Sequence, residues 1–327
     1  MSDPSVSAEP SLSAEPSLSA ATPEISPPDL TPQPNVVGGA RISAPHSNPH
    51  VPLRFTPPPG AVDAHCHIFG PGDRFPYSAD RSYTPPDSGI DDFERLQARL
   101  GLSNAVFVQA SCHGTDNSAM LDALTRGNGR YAGVAMIDES FSDAAIQELH
   151  DAGVRSTRFN FVAHLGGAPE LPVFWRIVER VANWNWHIVL HFDAKDLPEN
   201  MALLEAMPVP FVIDHMARVN AIKGVEQEPF EALLSLMTDE RCWVKISGAE
   251  RLTADGTPPY SDVVPYAQAL IAAAPDRILW GTDWPHPNVR HMPDDGDLVD
   301  LLIDYAPDEG TRNRILVDNP RRLYPLN

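Results

Sequence analysis

The sequence predicts an α/β protein, a closed (β/α)8 TIM barrel that follows a disordered N-terminal extension. Three observations predict this fold class. The chain has 327 residues, short apolar runs alternate with longer amphipathic segments from about residue 57 onward, and the first 50 residues differ from the rest in composition. Because barrels of this class commonly take about 250 residues as one domain, one barrel and one extension account for the whole length.

Residues 1–50 contain the repeat Ser-Val-Ser-Ala-Glu-Pro followed by Ser-Leu-Ser-Ala-Glu-Pro, and then a Pro-rich stretch. This segment has few large apolar side chains and no Arg before Arg41. It therefore cannot bury enough surface to offset the entropy lost on ordering. We expect residues 1–50 to be disordered and residues 51–327 to form the barrel. Composition alone leaves open that the extension is a docking segment.

Eight apolar runs are the candidate barrel strands, because each is short and bounded by polar or turn-forming residues. They cover residues 62–68, 105–109, 132–137, 156–161, 187–192, 211–215, 243–247 and 278–282. Amphipathic segments typical of helices lie between them, at residues 91–100, 117–126, 142–152, 171–182, 229–237 and 261–274. Further helices are predicted from residues 297 and 311 onward.

A doubly wound sheet is the main alternative to the barrel. Such a sheet commonly carries a Gly-rich phosphate turn after its first strand. Here the first candidate strand is followed by Phe69-Gly70-Pro71-Gly72, without a G-x-G-x-x-G pattern. The barrel is therefore favoured, and a dinucleotide-binding function is disfavoured.

The charge balance restricts the possible partners. Forty-four acidic residues against 24 basic ones give a formal net charge of −20, which argues against nucleic acid and anionic membranes as partners. Only three of the basic residues are Lys, namely Lys195, Lys223 and Lys245. An anionic ligand would therefore be bound by local Arg side chains, whose planar guanidinium groups suit carboxylate or sulfonate.

Three cysteines without C-x-x-C spacing predict neither a disulfide framework nor a cysteine zinc site. The N-terminal residues lack the basic and apolar regions of a signal peptide, and no apolar run reaches membrane-spanning length. We therefore predict a cytoplasmic protein that does not bind membranes, and the sequence makes no prediction of the oligomeric state.

Polar side chains stand at the ends of several candidate strands, which is where a barrel carries its active groups. His65 and His67 are two residues apart, so strand alternation places both imidazoles toward the lumen. Such a pair is either half of a metal site or two histidines hydrogen-bonded without metal. The recurrence of His191, His215 and Asp283 at other strand ends favours a catalytic role.

Asp283 follows the last candidate strand between Trp280 and Trp284. A carboxylate crowded by imidazoles in this position can accept a proton from attacking water and return it to a leaving oxygen. The alternative interpretation is a loop acceptor or helix cap in the Thr-Asp-Trp-Pro turn.

Several other side chains are candidates for holding an anion. Arg155 and Arg158 are three apart on one strand, so only one can face the lumen, and Arg158 lies nearer the C-terminal end. Arg218 and Arg251 follow later strands and are either anion ligands or surface ion-pair residues. Ser111 and His113 lie in the polar segment after the second strand, where they are free to face a ligand. No G-x-S-x-G elbow surrounds any serine, so nucleophilic serine chemistry is disfavoured.

These motifs together resemble the 2-pyrone-4,6-dicarboxylate lactonase and 4-sulfomuconolactone hydrolase group of the amidohydrolase superfamily. The resemblance runs from about Phe55 to Tyr324. It rests on Val62-Asp63-Ala64-His65-Cys66-His67, the polar segment 109–117, Arg158-Phe159-Asn160-Phe161, Ile213-Asp214-His215-Met216 and Gly281-Thr282-Asp283-Trp284-Pro285-His286-Pro287-Asn288.

The resemblance implies a hydrolase that opens an anionic lactone in bacterial aromatic catabolism. It implies that Asp283 is the base, with His65, His67 and His215 around the scissile carbonyl. The substrate's anionic groups would then be held by Tyr83, Ser111, His113, Arg158, His164 and Arg251.

Two positions depart from the pyrone-dicarboxylate pattern. His164 stands where those enzymes carry an Arg, and His191 stands where they carry a Tyr. Because both departures fall around the substrate, 4-sulfomuconolactone, opened to maleylacetate and sulfite, is favoured over 2-pyrone-4,6-dicarboxylate. The same motifs leave open a decarboxylase of this branch and a non-catalytic binding protein.

The resemblance leaves the metal open. The pyrone-dicarboxylate group is thought to act without metal, whereas His191 supplies a further imidazole. One divalent ion, with zinc the best match, would be held by His65, His67, His191 and Asp283. The expectation is therefore either one zinc ion or a metal-independent enzyme.

Overall fold

The computed structural model describes residues 39–327, and eight parallel strands in it form one sheet in chain order. The strands are β1 (Val62–Cys66), β2 (Asn104–Val108), β3 (Tyr131–Ala135), β4 (Val154–Asn160), β5 (His187–His191), β6 (Phe211–Ile213), β7 (Cys242–Lys245) and β8 (Ile278–Leu279).

The first and last strands meet, which closes the barrel. Ala64 N donates to Trp280 O at 2.9 Å, His67 N donates to Trp284 O at 2.7 Å, and Asp283 N donates to His65 O at 2.8 Å. The Asp63 carboxylate reinforces this seam, because its Oδ1 accepts from Thr282 N at 3.0 Å and its Oδ2 from Thr282 Oγ1 at 2.6 Å. The predicted TIM barrel is confirmed.

Helices alternate with the strands. They are α1 (Ile90–Leu100), α2 (Ser118–Gly127), α3 (Asp143–Asp151), α4 (Leu171–Ala182), α5 (Leu197–Glu205), α6 (Glu228–Leu236), α7 (Ala249–Leu252), α8 (Val264–Ala273), α9 (Asp295–Asp300), α10 (Leu302–Tyr305), α11 (Glu309–Asn313) and α12 (Asn319–Leu323). The predicted helices are present within a few residues at each end, whereas α5 and α7 were not predicted.

The apolar core has two layers, as expected for a barrel. One fills the lumen with side chains from alternate strand positions, among them Val62, Ala64, Val106, Val189 and Trp243. The other fills the space between strands and helices. Strand alternation therefore separates lumen-facing from helix-facing residues throughout the sheet.

Strand β1 changes this alternation midway. Its register with β2 shifts between Asp63 and Cys66. Ala64 packs in the lumen cluster and Cys66 in the outer one, and His65 and His67 both reach Asp283 from inside the barrel. The prediction that the two histidines share the lumen face is therefore correct, and the local irregularity brings them there.

The chain leaves β6 by an unusual turn. The prediction extended this strand to residue 215, but it ends at Ile213, and four consecutive residues after Asp214 adopt left-handed φ angles of 49° to 55°. These residues are His215, Met216, Ala217 and Arg218. Such a run is costly for residues with side chains and is typical of functional positions.

The N-terminal boundary also differs from the prediction. Residues 39–50 were assigned to a disordered segment, but Ala40–Arg41 pairs as a short parallel strand with Tyr83–Thr84. The Asp294 carboxylate accepts from His50 N, and the Asp300 carboxylate accepts from Leu53 N at 2.9 Å. Residues 1–38, the rest of the predicted disordered extension, lie outside the described residues.

Within residues 39–327, none of the helices combines the length and the apolar character needed to cross a bilayer.

Gly281 allows the seam to close. A Cβ built at this position would lie 2.3 Å from His65 N and 2.7 Å from Asp63 Oδ1. We expect Gly281→Ala to lower the free energy of unfolding by about 3 kcal/mol or more, because backbone cannot yield as a flexible side chain can. Urea unfolding measures this. The control is Gly89→Ala, where a Cβ has no heavy atom within 4 Å, and an equal loss in the control would contradict the explanation.

Candidate active site

Asp283 is the centre of a buried cluster at the C-terminal end of the barrel. Its Oδ1 lies 3.1 Å from His67 Nε2, 3.5 Å from His65 Nε2 and 3.8 Å from His215 Nε2. Its Oδ2 accepts from Arg251 Nε at 2.7 Å and also from Arg251 Nη2. One carboxylate therefore meets three imidazoles and one guanidinium, as the sequence predicted for Asp283, His65, His67 and His215.

The second nitrogen of each imidazole is held by a neighbouring group. His67 Nδ1 donates to Val108 O at 2.8 Å, and His215 Nδ1 lies 2.9 Å from Ser247 Oγ. His65 Nδ1 lies 2.9 Å from Lys245 Nζ. These contacts orient the three rings so that each Nε2 faces the same carboxylate oxygen.

His191 completes the imidazole cluster from β5. Its ring lies 5.6 Å from that of His215, and its Nδ1 contacts Asn160 Oδ1 at 3.2 Å. Its Nε2 is buried without a hydrogen-bond partner. His191 is therefore beside the site, with one unused nitrogen.

A buried ionic group, formed by Asp214, Arg158 and Lys245, supports these rings from within the barrel. Asp214 Oδ2 accepts from Arg158 Nε at 2.9 Å, and Asp214 Oδ1 lies 3.1 Å from Lys245 Nζ and 3.3 Å from His65 Nδ1. Buried charges in this arrangement are stable only when each has a partner. Asp214 is that shared partner for Arg158 and Lys245.

Burial and charge set the protonation of the cluster. Burial lowers the pKa of His65, His191 and His215, in the last case to about 3, so these rings are neutral near pH 7. Burial alone would raise the pKa of Asp283. The Arg251 guanidinium and the imidazoles outweigh burial and hold that pKa well below its usual range.

Short turns place the cationic residues. Gly248 has a left-handed φ of 83°, and a Cβ there would approach the His215 ring at 3.2 Å. This glycine therefore lets the chain turn directly from β7 into α7, which carries Arg251. Arg218, at the end of the left-handed turn, pairs with Asp193 at 3.0 Å. Together with Arg158, they surround the acidic centre with guanidinium groups.

The remaining predicted anion ligands differ in how far their side chains are buried. Tyr83 is buried with its hydroxyl beside Ser111 and Cys112, and burial raises its pKa well above the usual value. His164 is exposed at the rim, on the turn Ala163–Leu165. His113 has both nitrogens in backbone contacts, with Gly70 N at 3.2 Å and Pro76 O at 3.1 Å. It therefore joins two loops, and its role toward a substrate stays a prediction.

Arg155 points away from the site, as alternation predicted. Its Nη1 donates to His150 O at 2.6 Å. Trp280 and Trp284 are both buried beside the seam.

Sequence reasoning missed two buried charges next to the site, Lys245 and Glu250. Lys245 lies two residues after Trp243 on β7, so alternation alone places it in the lumen. Glu250 lies 3.2 Å from Arg251 Nε, and burial raises its pKa. No spacing rule identifies Glu250, because it lies on a short helix that was not predicted.

The site contains a donor set of the kind that binds a divalent ion. Ligand atoms of His65, His67 and Asp283 lie within 4.8 Å of one another, and so do those of His65, Asp214 and His215. Neither group includes His191. Metal-bound histidines usually donate their other N–H to a carbonyl or carboxylate. His67 meets this condition, but His65 faces an ammonium group and Asp283 is held by Arg251, so the fit to a metal is only partial.

Comparison with known proteins agrees with this geometry. The sequence profile of the amidohydrolase family matches residues 62–326. The chain belongs to the amidohydrolase family. A 2-pyrone-4,6-dicarboxylate hydrolase of Comamonas testosteroni is 46% identical over 288 residues, which is 85% of this chain and 94% of that protein. A 4-sulfomuconolactone hydrolase of Hydrogenophaga intermedia is 42% identical, over 84% of this chain and 91% of that protein.

The fold is also similar to that of solved structures. The crystal structure of an Agrobacterium tumefaciens protein superposes with a TM-score of 0.74 at 29% identity, over 83% of this chain and 98% of that chain. The family resemblance inferred from the motifs is therefore confirmed for most of the described barrel.

Proposed function

We propose that this amidohydrolase hydrolyses a small anionic lactone, with Asp283 as general base and acid. The observation that supports this most directly is the meeting of three imidazole Nε2 atoms with one carboxylate oxygen of Asp283, within 3.8 Å. The similarity to two kinds of lactone hydrolase supports the same reaction class.

The reaction begins with water. Asp283 takes one proton from it, and the resulting hydroxide adds to the lactone carbonyl carbon. The carbonyl oxygen becomes an oxyanion, which the imidazoles of His65 and His215 stabilise by hydrogen bonding. His67, whose Nδ1 donates to Val108 O, contacts Asp283 through its Nε2 and helps to position that carboxylate. Collapse of the tetrahedral intermediate breaks the ring C–O bond, and Asp283 returns its proton to the departing ring oxygen.

Guanidinium groups hold the substrate. The protein as a whole carries a net charge of −20, but Arg158 and Arg251 pair with Asp214 and Asp283, and Arg218 lies close enough to interact with both arginines. Positive charge concentrated in this way attracts an anion. Tyr83, Ser111, His164 and His113 are proposed to complete the substrate contacts.

Arg251 has two functions in this mechanism. It holds Asp283 Oδ2, and it is also the predicted ligand of an anionic group of the substrate. When the guanidinium turns toward that group, its effect on Asp283 weakens and the carboxylate becomes a stronger base. Substrate binding and base activation are thereby linked through one side chain.

We propose 4-sulfomuconolactone as the substrate, with 2-pyrone-4,6-dicarboxylate as the second candidate. Opening the sulfonated ring leaves a carbon that bears both hydroxyl and sulfonate, which expels sulfite and becomes the ketone of maleylacetate. His164 at the rim and His191 beside His215 both differ from the residues expected for a pyrone dicarboxylate. The 46% identity to the Comamonas testosteroni enzyme supports the second candidate. A cytoplasmic location stays a prediction.

The proposed steps use only water and the side chains of the protein. Zinc would be held by His65, His67, His191 and Asp283, but the contacts of Lys245 and Arg251 compete with it at two of these four residues. We therefore propose a metal-independent enzyme.

The substrate assignment is tested by incubating the protein with each lactone, and measuring ring opening, sulfite and carbon dioxide. We expect ring opening with sulfite release from 4-sulfomuconolactone. We expect Asp283→Asn to lower kcat by at least about 100-fold, because the amide cannot accept the proton of water. Asp318→Asn, at an exposed position, is the control.

Each further outcome has a definite meaning. Ring opening of the pyrone dicarboxylate alone selects the second candidate. Carbon dioxide without loss of a lactone indicates a decarboxylase, and near-normal turnover in Asp283→Asn would reject the base assignment.

The role of Arg251 predicts a pH effect. The mechanism needs ionised Asp283, so kcat/KM falls as pH falls through the pKa of that carboxyl. Arg251 lowers this pKa, so Arg251→Met raises it and moves the acidic limb of the profile to higher pH, by about one unit or more. Arg218→Met, which removes a guanidinium paired with Asp193, should move the limb much less. An unmoved limb in Arg251→Met contradicts the proposed link.

Metal analysis tests whether the enzyme needs zinc. We expect protein purified without added metal to contain well below one zinc ion per chain and to keep its activity after dialysis against a chelator. Stoichiometric zinc, with activity lost on chelation and regained on adding zinc, would show that the enzyme depends on the metal.

A further inference from the structure

We infer that Lys245 is a positioning residue that fixes which nitrogen of His65 carries the proton. Lys245 lies on β7, in the lumen, with no exposed surface. Its Nζ is hydrogen-bonded to His65 Nδ1 at 2.9 Å and lies 3.1 Å from Asp214 Oδ1. No step of the proposed reaction uses this side chain directly.

The donor and acceptor in this contact follow from the chemistry of the two groups. An ammonium group has three protons and no lone pair, so it can only donate. His65 Nδ1 must therefore accept with its lone pair. Asp214 Oδ1 lies 3.3 Å from the same nitrogen, but Lys245 Nζ is nearer at 2.9 Å, so we assign the lone pair of Nδ1 to the ammonium group.

The proton of the neutral His65 ring is then on Nε2. That nitrogen is buried, has no hydrogen-bond partner among residues 39–327, and lies 3.5 Å from Asp283 Oδ1. An N–H group held in this position is a preorganised donor next to the base. This N–H group can donate to the lactone carbonyl oxygen, on which negative charge develops in the proposed reaction.

The ionic group maintains the arrangement. Asp214 neutralises Lys245 on one side and accepts from Arg158 at 2.9 Å on the other. Arg158 is itself a proposed ligand of the substrate. The chain of contacts therefore runs from the substrate's anionic group through Arg158, Asp214 and Lys245 to the ring of His65.

The same tautomer disfavours a metal at His65. A ligating nitrogen needs a free lone pair, but Nε2 carries the proton and the lone pair of Nδ1 is taken by Lys245. Lys245, which is not itself an expected ligand, therefore prevents His65, one of the four expected ligands, from binding zinc.

The tautomer can be read directly in the wild-type protein. Long-range ¹H–¹⁵N correlation spectra of ¹⁵N-histidine-labelled protein at pH 7 separate protonated from unprotonated ring nitrogens, and His65→Gln identifies the His65 signals by their loss. We expect His65 to be protonated at Nε2 only. A proton on Nδ1, or on both nitrogens, would overturn the inference.

A variant tests the consequence. We expect Lys245→Met to populate the Nδ1–H form of His65 and to lower kcat by about 10- to 100-fold, as loss of a group that orients a site histidine does, with little change in KM. Lys245→Gln keeps an N–H donor at this position and should retain more activity than Lys245→Met. Lys223→Met, at an exposed lysine, is the control.

The possible outcomes distinguish this inference from the proposed function. Only the role of the His65 Nε2–H group as a donor to the reacting oxygen rests on that function. A Nε2–H tautomer in a protein that opens no lactone rejects the function and leaves the positioning role. An unchanged tautomer and unchanged kcat in Lys245→Met reject the positioning role and leave the function. If Lys245→Met does not fold, the wild-type spectrum still decides.

Discussion

The site depends on the seam between the first and the last strand of the barrel. The backbone bond from Asp283 N to His65 O joins the proposed base to one of the imidazoles around it, although 218 positions separate them in the sequence. The carboxylate of Asp63 and the absence of a side chain at Gly281 allow this approach. The geometry of the candidate site and the closure of the barrel therefore have the same structural cause.

The chain as a whole is acidic, but cationic side chains are concentrated at the site. Arg158 and Lys245 meet the buried carboxylate of Asp214, and Arg251 meets that of Asp283. In a low-dielectric interior each of these charges is stable only with its partners, so the binding site is also an ionic network. A substrate with two anionic groups can replace some of the protein's own carboxylate contacts.

Much of this arrangement could be predicted from the sequence. The spacing of two residues correctly predicted that His65 and His67 share one face, and alternation along β4 placed Arg158 inside and Arg155 outside, because strand periodicity is a local property. That the histidine face of β1 is the lumen face depends on the register irregularity between Asp63 and Cys66. The ionic partners could not be predicted in the same way, since the contact of Lys245 with Asp214 joins two strands whose register only the fold defines. The left-handed turn after β6 also had no signal, because it contains no glycine.

The contacts of the segment before the barrel also could not be predicted from its composition. Residues 39–50 look like the Pro-rich stretch that precedes them, but backbone N–H groups of His50 and Leu53 bond to carboxylates of Asp294 and Asp300, near the other end of the chain. These carboxylates lie on or next to α9, shortly after the loop that carries Asp283. Expression designs that shorten the protein from its N-terminus would therefore do best to cut before residue 39. A cut inside residues 39–41 removes the short strand, and a cut beyond Leu53 leaves the carboxylates of Asp294 and Asp300 without these backbone partners, close to the loop that carries Asp283.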